Sequence, residues 1–379
     1  MKVFRSLLFW LHLGVGLGLG LVIATMAATG FVLAFERQIT TAFGTPKATS
    51  SADAPRIPVD AVLAHLPQQG APTQLVEHRD RQSLLEVRYG RESTLLADPH
   101  TGQIVGQPSR RLHGFFELDE RIHRRLGLSM QNAFGRSVTG AAALGFLCIL
   151  LSGIVLWFPR KLAGANWRVR LLLRRGLSGK ARDWNQHNAI GLWLLLPLAA
   201  IAATGVIMAY PWATNLLYRA AGSEPPVAAE KHGPPAAGRE DRRGHGDHGA
   251  AQAQTALLEP MVAMAAQQVP AWQSIALTVP GAKDKTVAIT VDAGPGGMPE
   301  KVTRMAFDRQ TGRLVRVERF SDQVMGRRLR LWARFVHTGE EFGLWGQSIA
   351  ALAALGALWL VWTGWAMSWR RFFGSAKRA

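Results

Sequence analysis

Cysteine is almost missing from this chain: Cys148 stands alone among 379 residues. That excludes an internal disulfide framework, a cysteine-built zinc site and a Cys-ligated iron–sulfur cluster. Charge is scarce as well. Asp, Glu, Lys and Arg make up 18% of the sequence against 48% apolar residues, a balance that excludes a disordered or fibrous chain. There is no G-x-x-x-x-G-K-[ST] phosphate loop, no H-E-x-x-H and no Ser–His–Asp pattern. The glycines of the first apolar run precede no strand–helix crossover, so no dinucleotide signature is present. Chemistry here must come from a bound group.

Four stretches contain no charged residue: Leu7–Phe35, Ser137–Phe158, Trp184–Tyr218 and Phe342–Trp369. A helix crossing a hydrocarbon core of about 30 Å needs about 20 such residues, so each run predicts a membrane helix. The first run is too long for a signal-peptide core and lacks a convincing A-x-A end, which predicts a retained helix. The net charge of +18 would suggest nucleic-acid binding if it were spread evenly. It is not. Most of it sits on Lys2 and Arg5, on the tail residues Arg370, Arg371, Lys377 and Arg378, and on a loop that sets eight Lys and Arg against Asp183. These flanks share one side of a four-pass arrangement, and the positive-inside bias makes that side the cytoplasm. The charge therefore predicts topology and no nucleic-acid partner.

The expected order is a membrane helix in residues 1–36, an outside module in 37–136, a second helix in 137–159 and a basic cytoplasmic loop in 160–183. A third helix occupies 184–218, a linker and second module 219–341, a fourth helix 342–369 and a cytoplasmic tail 370–379. Both modules face a periplasm and read as small α+β units. The first has a helix at Pro58–Leu66 and strands at Gln74–Glu77, Leu84–Tyr89 and Ser93–Ala97. The second has a helix at Pro260–Val269 and strands at Ile275–Val279, Thr286–Val291 and Arg304–Phe307. Glu224–Gln254, rich in Pro, Gly, Ala and charge, reads as a flexible linker; its His232, His245 and His248 are a weak metal-capture candidate beside the plainer reading of a solvated segment.

The two halves resemble each other. Ala28-Thr29-Gly30 matches Ala203-Thr204-Gly205, Ser152-Gly153 matches Thr363-Gly364, and the turn Asp98–Gly102 matches Asp308–Gly312. The fold class expected is thus a membrane α-helical, four-helix bundle with two periplasmic α+β modules, built as a tandem internal repeat. Four histidines fall at corresponding places. His12 precedes Gly30 by 18 residues, as His187 precedes Gly205; His123 and His337 precede Gly153 and Gly364 by 30 and 27. A pseudo-two-fold bundle would set His12 against His187 near the cytoplasmic face and His123 against His337 near the other.

Paired imidazoles across a bundle suit haem iron, which takes an axial ligand from each side. A flat porphyrin needs a thin helix wall, and glycine stands one turn after three of the four histidines, as Gly16, Gly191 and Gly127. The run Gly14, Gly16, Gly18, Gly20 thins the first helix further, although glycines in membrane helices also mark close helix packing. His113 is an alternative outer ligand without a counterpart in the second half. His65, His78 and His100 are expected on the surface of the first module, Cys148 in helix packing, and the tryptophans Trp157, Trp184, Trp212, Trp345, Trp365 and Trp369 in interfacial belts. Trp345 or Trp332 could also stack on a ligand near the outer histidines.

With these residues in view, the sequence resembles the PepSY-associated transmembrane family over essentially its whole length. It is most similar there to inner-membrane ferric-siderophore reductases of the FoxB type. The carriers are Leu11-His12 with the glycine run, Thr29-Gly30, Ile122-His123-Arg124-Arg125-Leu126-Gly127, Ser152-Gly153 with Trp157, Asn185-Gln186-His187 and Val336-His337-Thr338-Gly339. The resemblance implies PepSY-like periplasmic modules, two haem b groups per chain in the bundle and an oxidoreductase passing single electrons to ferric siderophore. The expected location is the bacterial inner membrane with both termini cytoplasmic, and the electron donor is unidentified. Two other classes fit the residues: a non-redox anchored binding protein, and a metal-transfer protein using the same histidines directly.

Overall fold

The computed structural model describes residues 2–44, 46, 48, 54–66, 71–90, 93–129, 132–159, 167–225 and 258–374. The linker histidines His232, His245 and His248, and Lys377 and Arg378, lie outside the described residues. In chain order the elements are α1 (Lys2–Leu33), α2 (Glu36–Phe43), α3 (Val59–His65), β1 (Gln74–His78), β2 (Leu85–Tyr89), β3 (Ser93–Ala97) and β4 (Ile104–Gly106). There follow α4 (Arg110–Arg125), α5 (Ala133–Trp157), α6 (Trp167–Leu171), α7 (Gly179–Trp193), α8 (Leu195–Ala209), α9 (Pro211–Ala220) and α10 (Leu258–Gln268). The chain closes with β5 (Ser274–Thr278), β6 (Thr286–Asp292), β7 (Val302–Asp308), β8 (Leu314–Arg319), α11 (Met325–Thr338) and α12 (Gly343–Phe372). These elements sort into two compact units, a helical one (Met1–Glu36, Gly114–Leu217, Leu329–Ala379) and one built on a sheet (Arg37–His113, Tyr218–Arg328).

In the helical unit, α1, α5 and α12 are each long and apolar enough to cross a membrane. The third run departs from expectation. Instead of one helix over 184–218 it forms α7 and α8, bent by 67° at Leu194, and then α9; α7 and α8 qualify as a span only together. Pro197 supplies the reason. It has no N–H to give the carbonyl four residues earlier, and its ring clashes there, so the helix breaks beside Trp193. Leu194, with φ −96° and ψ 4°, makes the corner, and its side chain fills the space at Gly356 of α12. α1 packs between α5 and α12, α8 packs on α5, and α12 also packs on α7 and α8. The seam interleaves the small residues Ala202, Ala353 and Ala357 with Leu150, Leu198 and Leu360, and the alanines let helices approach where lipid offers no hydrophobic drive.

Two amphipathic helices, α4 and α11, precede the spans α5 and α12, and each ends at a sharp corner. Leu126 and Gly127 have φ of 55° and 79° after α4, and Gly339 has φ 77° after α11. At the second corner Gly339 and Gly346 meet backbone to backbone, with no room for a Cβ on either. His123 and His337 therefore sit in the last turn of helices that double back, and the corners fix how far each ring reaches.

The sheet unit corrects a second expectation. The two α+β segments do not form separate modules: their strands join one antiparallel sheet of eight, in the order β4-β3-β2-β1-β5-β6-β7-β8. The junction is β1 against β5, in register from Gln74↔Thr278 to His78↔Ser274. Helices α3 and α10 cover one face. Val59 and Val62 of α3 and Leu258, Met261, Val262 and Ala265 of α10 pack on alternate strand residues, including Leu75, Leu85, Val87, Ile275, Leu277, Val287, Ile289, Met305 and Phe307. Strand periodicity explains the alternation. The two matching Asp turns are built alike: Asp98 Oδ1 accepts from the N–H of His100 and Thr101, Asp308 Oδ1 from those of Gln310 and Thr311, and Gly102 and Gly312 take φ of 73° and 69°.

Candidate functional site

Each of the four histidines meets a hydroxyl residue followed by glycine on a neighbouring helix. His12 Nδ1 lies 3.0 Å from Ser152 Oγ of α5, and His187 Nδ1 lies 2.9 Å from Thr363 Oγ1 of α12. His123 Nδ1 lies 3.0 Å from Thr29 Oγ1 of α1, and His337 Nδ1 lies 3.2 Å from Thr204 Oγ1 of α8. The glycine beside each hydroxyl clears the ring itself. A Cβ at Gly153, Gly364, Gly30 or Gly205 would stand 3.6, 3.6, 3.2 or 3.3 Å from the Cε1 of His12, His187, His123 or His337 respectively.

These contacts settle the proton on each ring. A hydroxyl has one hydrogen, and each of these gives it to its own helix: Ser152 to Ile149, Thr29 to Thr25, Thr204 to Ala200 and Thr363 to Trp359, at 2.6–3.0 Å. The hydroxyl oxygen can then only accept, so Nδ1–H donates to it. A carbonyl reinforces the assignment. His337 Nδ1 is also 2.9 Å from Ile201 O, an acceptor that requires the Nδ1 hydrogen. All four rings are thereby held as the tautomer that leaves the Nε2 lone pair free, the orientation that metal-binding histidines usually receive from their surroundings.

The rings come together in two pairs. His12 and His187 have centroids 6.4 Å apart with planes at 73°; His123 and His337 have centroids 6.3 Å apart with planes at 68°. All four histidines are partly exposed. α1 spans both: it carries His12 and, 17 residues on, the Thr29 that receives His123. At 1.5 Å per residue the two pairs are about 25 Å apart along that helix, close to the thickness of a hydrocarbon core. Among the described residues no group of three or more His, Cys, Asp or Glu side chains forms a further metal cluster.

The sequence over residues 9–371 matches the PepSY-associated TM region. The chain belongs to that family. No curated protein matches it. Membership agrees with the apolar helices in making this PepSY-associated chain a membrane protein.

Other expected positions fare unevenly in this PepSY-associated protein. Gly16 leaves open space, with nothing within 4 Å of a Cβ, whereas Gly191 has ordinary packing on Leu360 at 3.5 Å. Gly127 does not thin a helix wall; its positive φ makes it the corner after α4. His113 is exposed and lies ten residues before His123 on α4, while His123 is the residue that meets His337. His65 and His78 are accessible, but His100 is buried at 8% exposure, its ring nitrogens facing the carbonyls of Pro55 and Arg81. Cys148 is exposed on α5 instead of packed between helices. Trp345 and Trp332 are 82% and 42% exposed.

Sequence reasoning missed the receiving residues. Thr29-Gly30, Ser152-Gly153, Thr204-Gly205 and Thr363-Gly364 were visible as register marks between the halves, and their recurrence beside no motif of their own was the available signal. It also missed the anchor under the basic loop. Asp183, 1% exposed, pairs with Arg182 and with Arg370, and Asn185 accepts from Arg174 N while donating to Val169 O and Leu172 O.

Proposed function

We propose that this protein is an electron carrier of the bacterial inner membrane, with one haem b held by His12 and His187 and a second by His123 and His337. It passes single electrons from the cytoplasmic side to a periplasmic ferric siderophore, which leaves Fe(II) and the intact siderophore. The carrying observation is the spacing of the pairs. An iron–imidazole bond of about 2.0 Å plus about 1.1 Å from nitrogen to ring centre, taken on both sides, predicts about 6.2 Å between centroids. The two pairs stand at 6.4 and 6.3 Å. Haem ligated by two imidazoles supplies one-electron transfer with no open iron position.

The side chains divide the remaining work. Ser152, Thr363, Thr29 and Thr204 orient the ligand rings, and the glycine after each keeps the opposing helix clear of them. Gly16 leaves room beside His12. Two sites about 25 Å apart along α1 divide a path that one group could not bridge. The basic flanks support the cytoplasmic assignment of the termini and of the loop before α7. Family resemblance and ligand chemistry support the acceptor: siderophore oxygens are hard donors that prefer Fe(III), so reduction weakens their hold.

The test is spectroscopic. Purified full-length protein should be red, with two haems per chain and a reducible Soret and α-band. His187→Ala should remove one equivalent and His123→Ala the other, and membranes supplied with a reductant such as NADH should reduce ferric siderophore, each electron yielding one Fe(II) to a ferrous-selective chelator. A colourless preparation overturns the proposal. Transition metal without porphyrin would favour direct metal transfer, and a colourless His12→Ala variant that retains function would favour an anchored binding protein.

A further inference from the structure

The segment from α6 into α7 carries more positive charge than its own contacts use. Trp167–Asn185 sets Arg168, Arg170, Arg174, Arg175, Lys180 and Arg182 against the single acid Asp183. Some of this charge is committed. Arg170 donates to the carbonyl of Trp157 and its guanidinium stands 5.5 Å from the centre of the Trp184 ring, while Arg182 pairs with Asp183, which Arg370 also holds. Arg174 and Lys180 are exposed, and among the described residues neither side chain has a partner.

Both line one cleft of about 480 Å³, whose other walls include Val169, Leu177, Ala181 and Trp184. That volume falls within the roughly 300–1,000 Å³ of small-ligand sites. Its frame is fixed by one buried amide. Asn185, 1% exposed, accepts from Arg174 N at 2.9 Å and donates to Val169 O at 2.7 Å and Leu172 O at 3.0 Å, which ties the far wall to α7. Two uncommitted cations over apolar walls match an amphiphile with an anionic head; a free anion would leave the walls unused.

The fold also sets the cleft at the level of lipid. Arg170 reaches Trp157, the last residue of α5, and Trp184 opens the charge-free run of α7 and α8. Trp193, nine residues into that run, donates from Nε1 to Leu171 O at 2.8 Å, so the segment lies against the span instead of beyond it. The adjoining Leu172 and Leu173 are 52% and 61% exposed. We infer that the cleft binds one anionic phospholipid of the leaflet on that side, its phosphate on Arg174 and Lys180 and its glycerol and upper acyl chain against Val169, Leu177, Ala181 and Trp184. Basic pockets beside membrane helices hold such head groups elsewhere. The inference rests on the helices crossing a membrane and is independent of haem.

Native mass spectrometry of the delipidated full-length protein in detergent tests it, with dioleoyl phosphatidylglycerol and dioleoyl phosphatidylcholine as probes. The protein should retain one phosphatidylglycerol about 25-fold more tightly than phosphatidylcholine, about fivefold for each cation. Arg174→Gln and Lys180→Gln should each weaken it about fivefold, and the double variant should lose the preference. Ala181→Glu, at an exposed position, should abolish retention by placing a like charge in the cleft. Arg168→Gln and Arg175→Gln, exposed and outside the lining, should stay within about twofold. Glycerol phosphate at the same concentration should not displace the lipid; displacement would assign a free phosphate and overturn the inference. Equal retention of the two lipids, or equal losses at Arg168 and Arg175, would reduce the effect to general surface charge and overturn it as well. So would an undiminished preference in a double variant that keeps its circular dichroism, a result that would leave both cations to an acidic protein partner.

Discussion

Alanine at the four ring-facing glycines separates the outer histidine pair from the inner one. A methyl at position 30 or 205 would sit 3.2 or 3.3 Å from the Cε1 of His123 or His337, whereas at 153 or 364 it would sit at 3.6 Å. Carbon atoms rest at about 3.5–4.0 Å, so only the outer substitutions demand movement. His123 cannot simply retreat, because Thr29 beside Gly30 holds its Nδ1 at 3.0 Å, and His337 is held twice, by Thr204 and by Ile201 O. Overpacking of this size costs about 1–3 kcal/mol, while alanine for glycine in a helix returns up to about 1 kcal/mol. The net cost is then up to about 2 kcal/mol, so Gly30→Ala and Gly205→Ala should weaken retention of the outer haem by up to roughly 30-fold, and Gly153→Ala and Gly364→Ala should leave the inner one within about twofold. Haem loss to apomyoglobin, followed at the Soret band, reads this directly. Equal loss across the four variants, or greater loss at the inner pair, would refute the steric reasoning.

Removing the receiving hydroxyl should loosen a ring without emptying its site: for Thr363→Val and Ser152→Ala about 10-fold weaker haem retention is expected, with an altered low-spin paramagnetic resonance signal. Gly339→Ala should reduce folded yield sharply in detergent chromatography, because φ 77° costs a non-glycine residue about 1–2 kcal/mol before its Cβ meets the Gly346 backbone. The Asp308 carboxyl is held below its ordinary value by the N–H of Thr311 first, then its hydroxyl. A depressed value means stability present above the unfolded pKa of about 3.9 and lost as pH falls through the folded one. Asp308→Asn should therefore lower the melting temperature at pH 7, and the gap should close below about pH 4, as thermal circular dichroism would show.

How much of this was readable depended on distance along the chain. The apolar runs marked α1, α5 and α12 because a span's length is set by the bilayer, and the break at Leu194 was hidden because the run Trp184–Tyr218 carries no charge to interrupt it. Helix and strand positions in the sheet unit followed local periodicity: the expected Pro58–Leu66 and Thr286–Val291 correspond to α3 and β6. Their assembly did not follow. Nothing local in Gln74–His78 states that its edge pairs with Ser274–Thr278, some two hundred residues on, instead of remaining the border of its own module. His100 was misplaced for the same reason, since its burial comes from the loop carrying Pro55.

The sequence by itself marked which residues could pair, because a repeat preserves offsets: His12 and His187 precede Gly30 and Gly205 by the same 18 residues, while the unequal offsets of His123 and His337 left His113 open as an outer ligand. Only the tertiary structure decided what receives them. The glycine that meets each ring belongs to the helix opposite, as Gly153, Gly364, Gly30 and Gly205. Which helices stand opposite depends on side-chain packing and on the corners at Gly127, Leu194 and Gly339, where a few backbone angles set the direction of everything that follows.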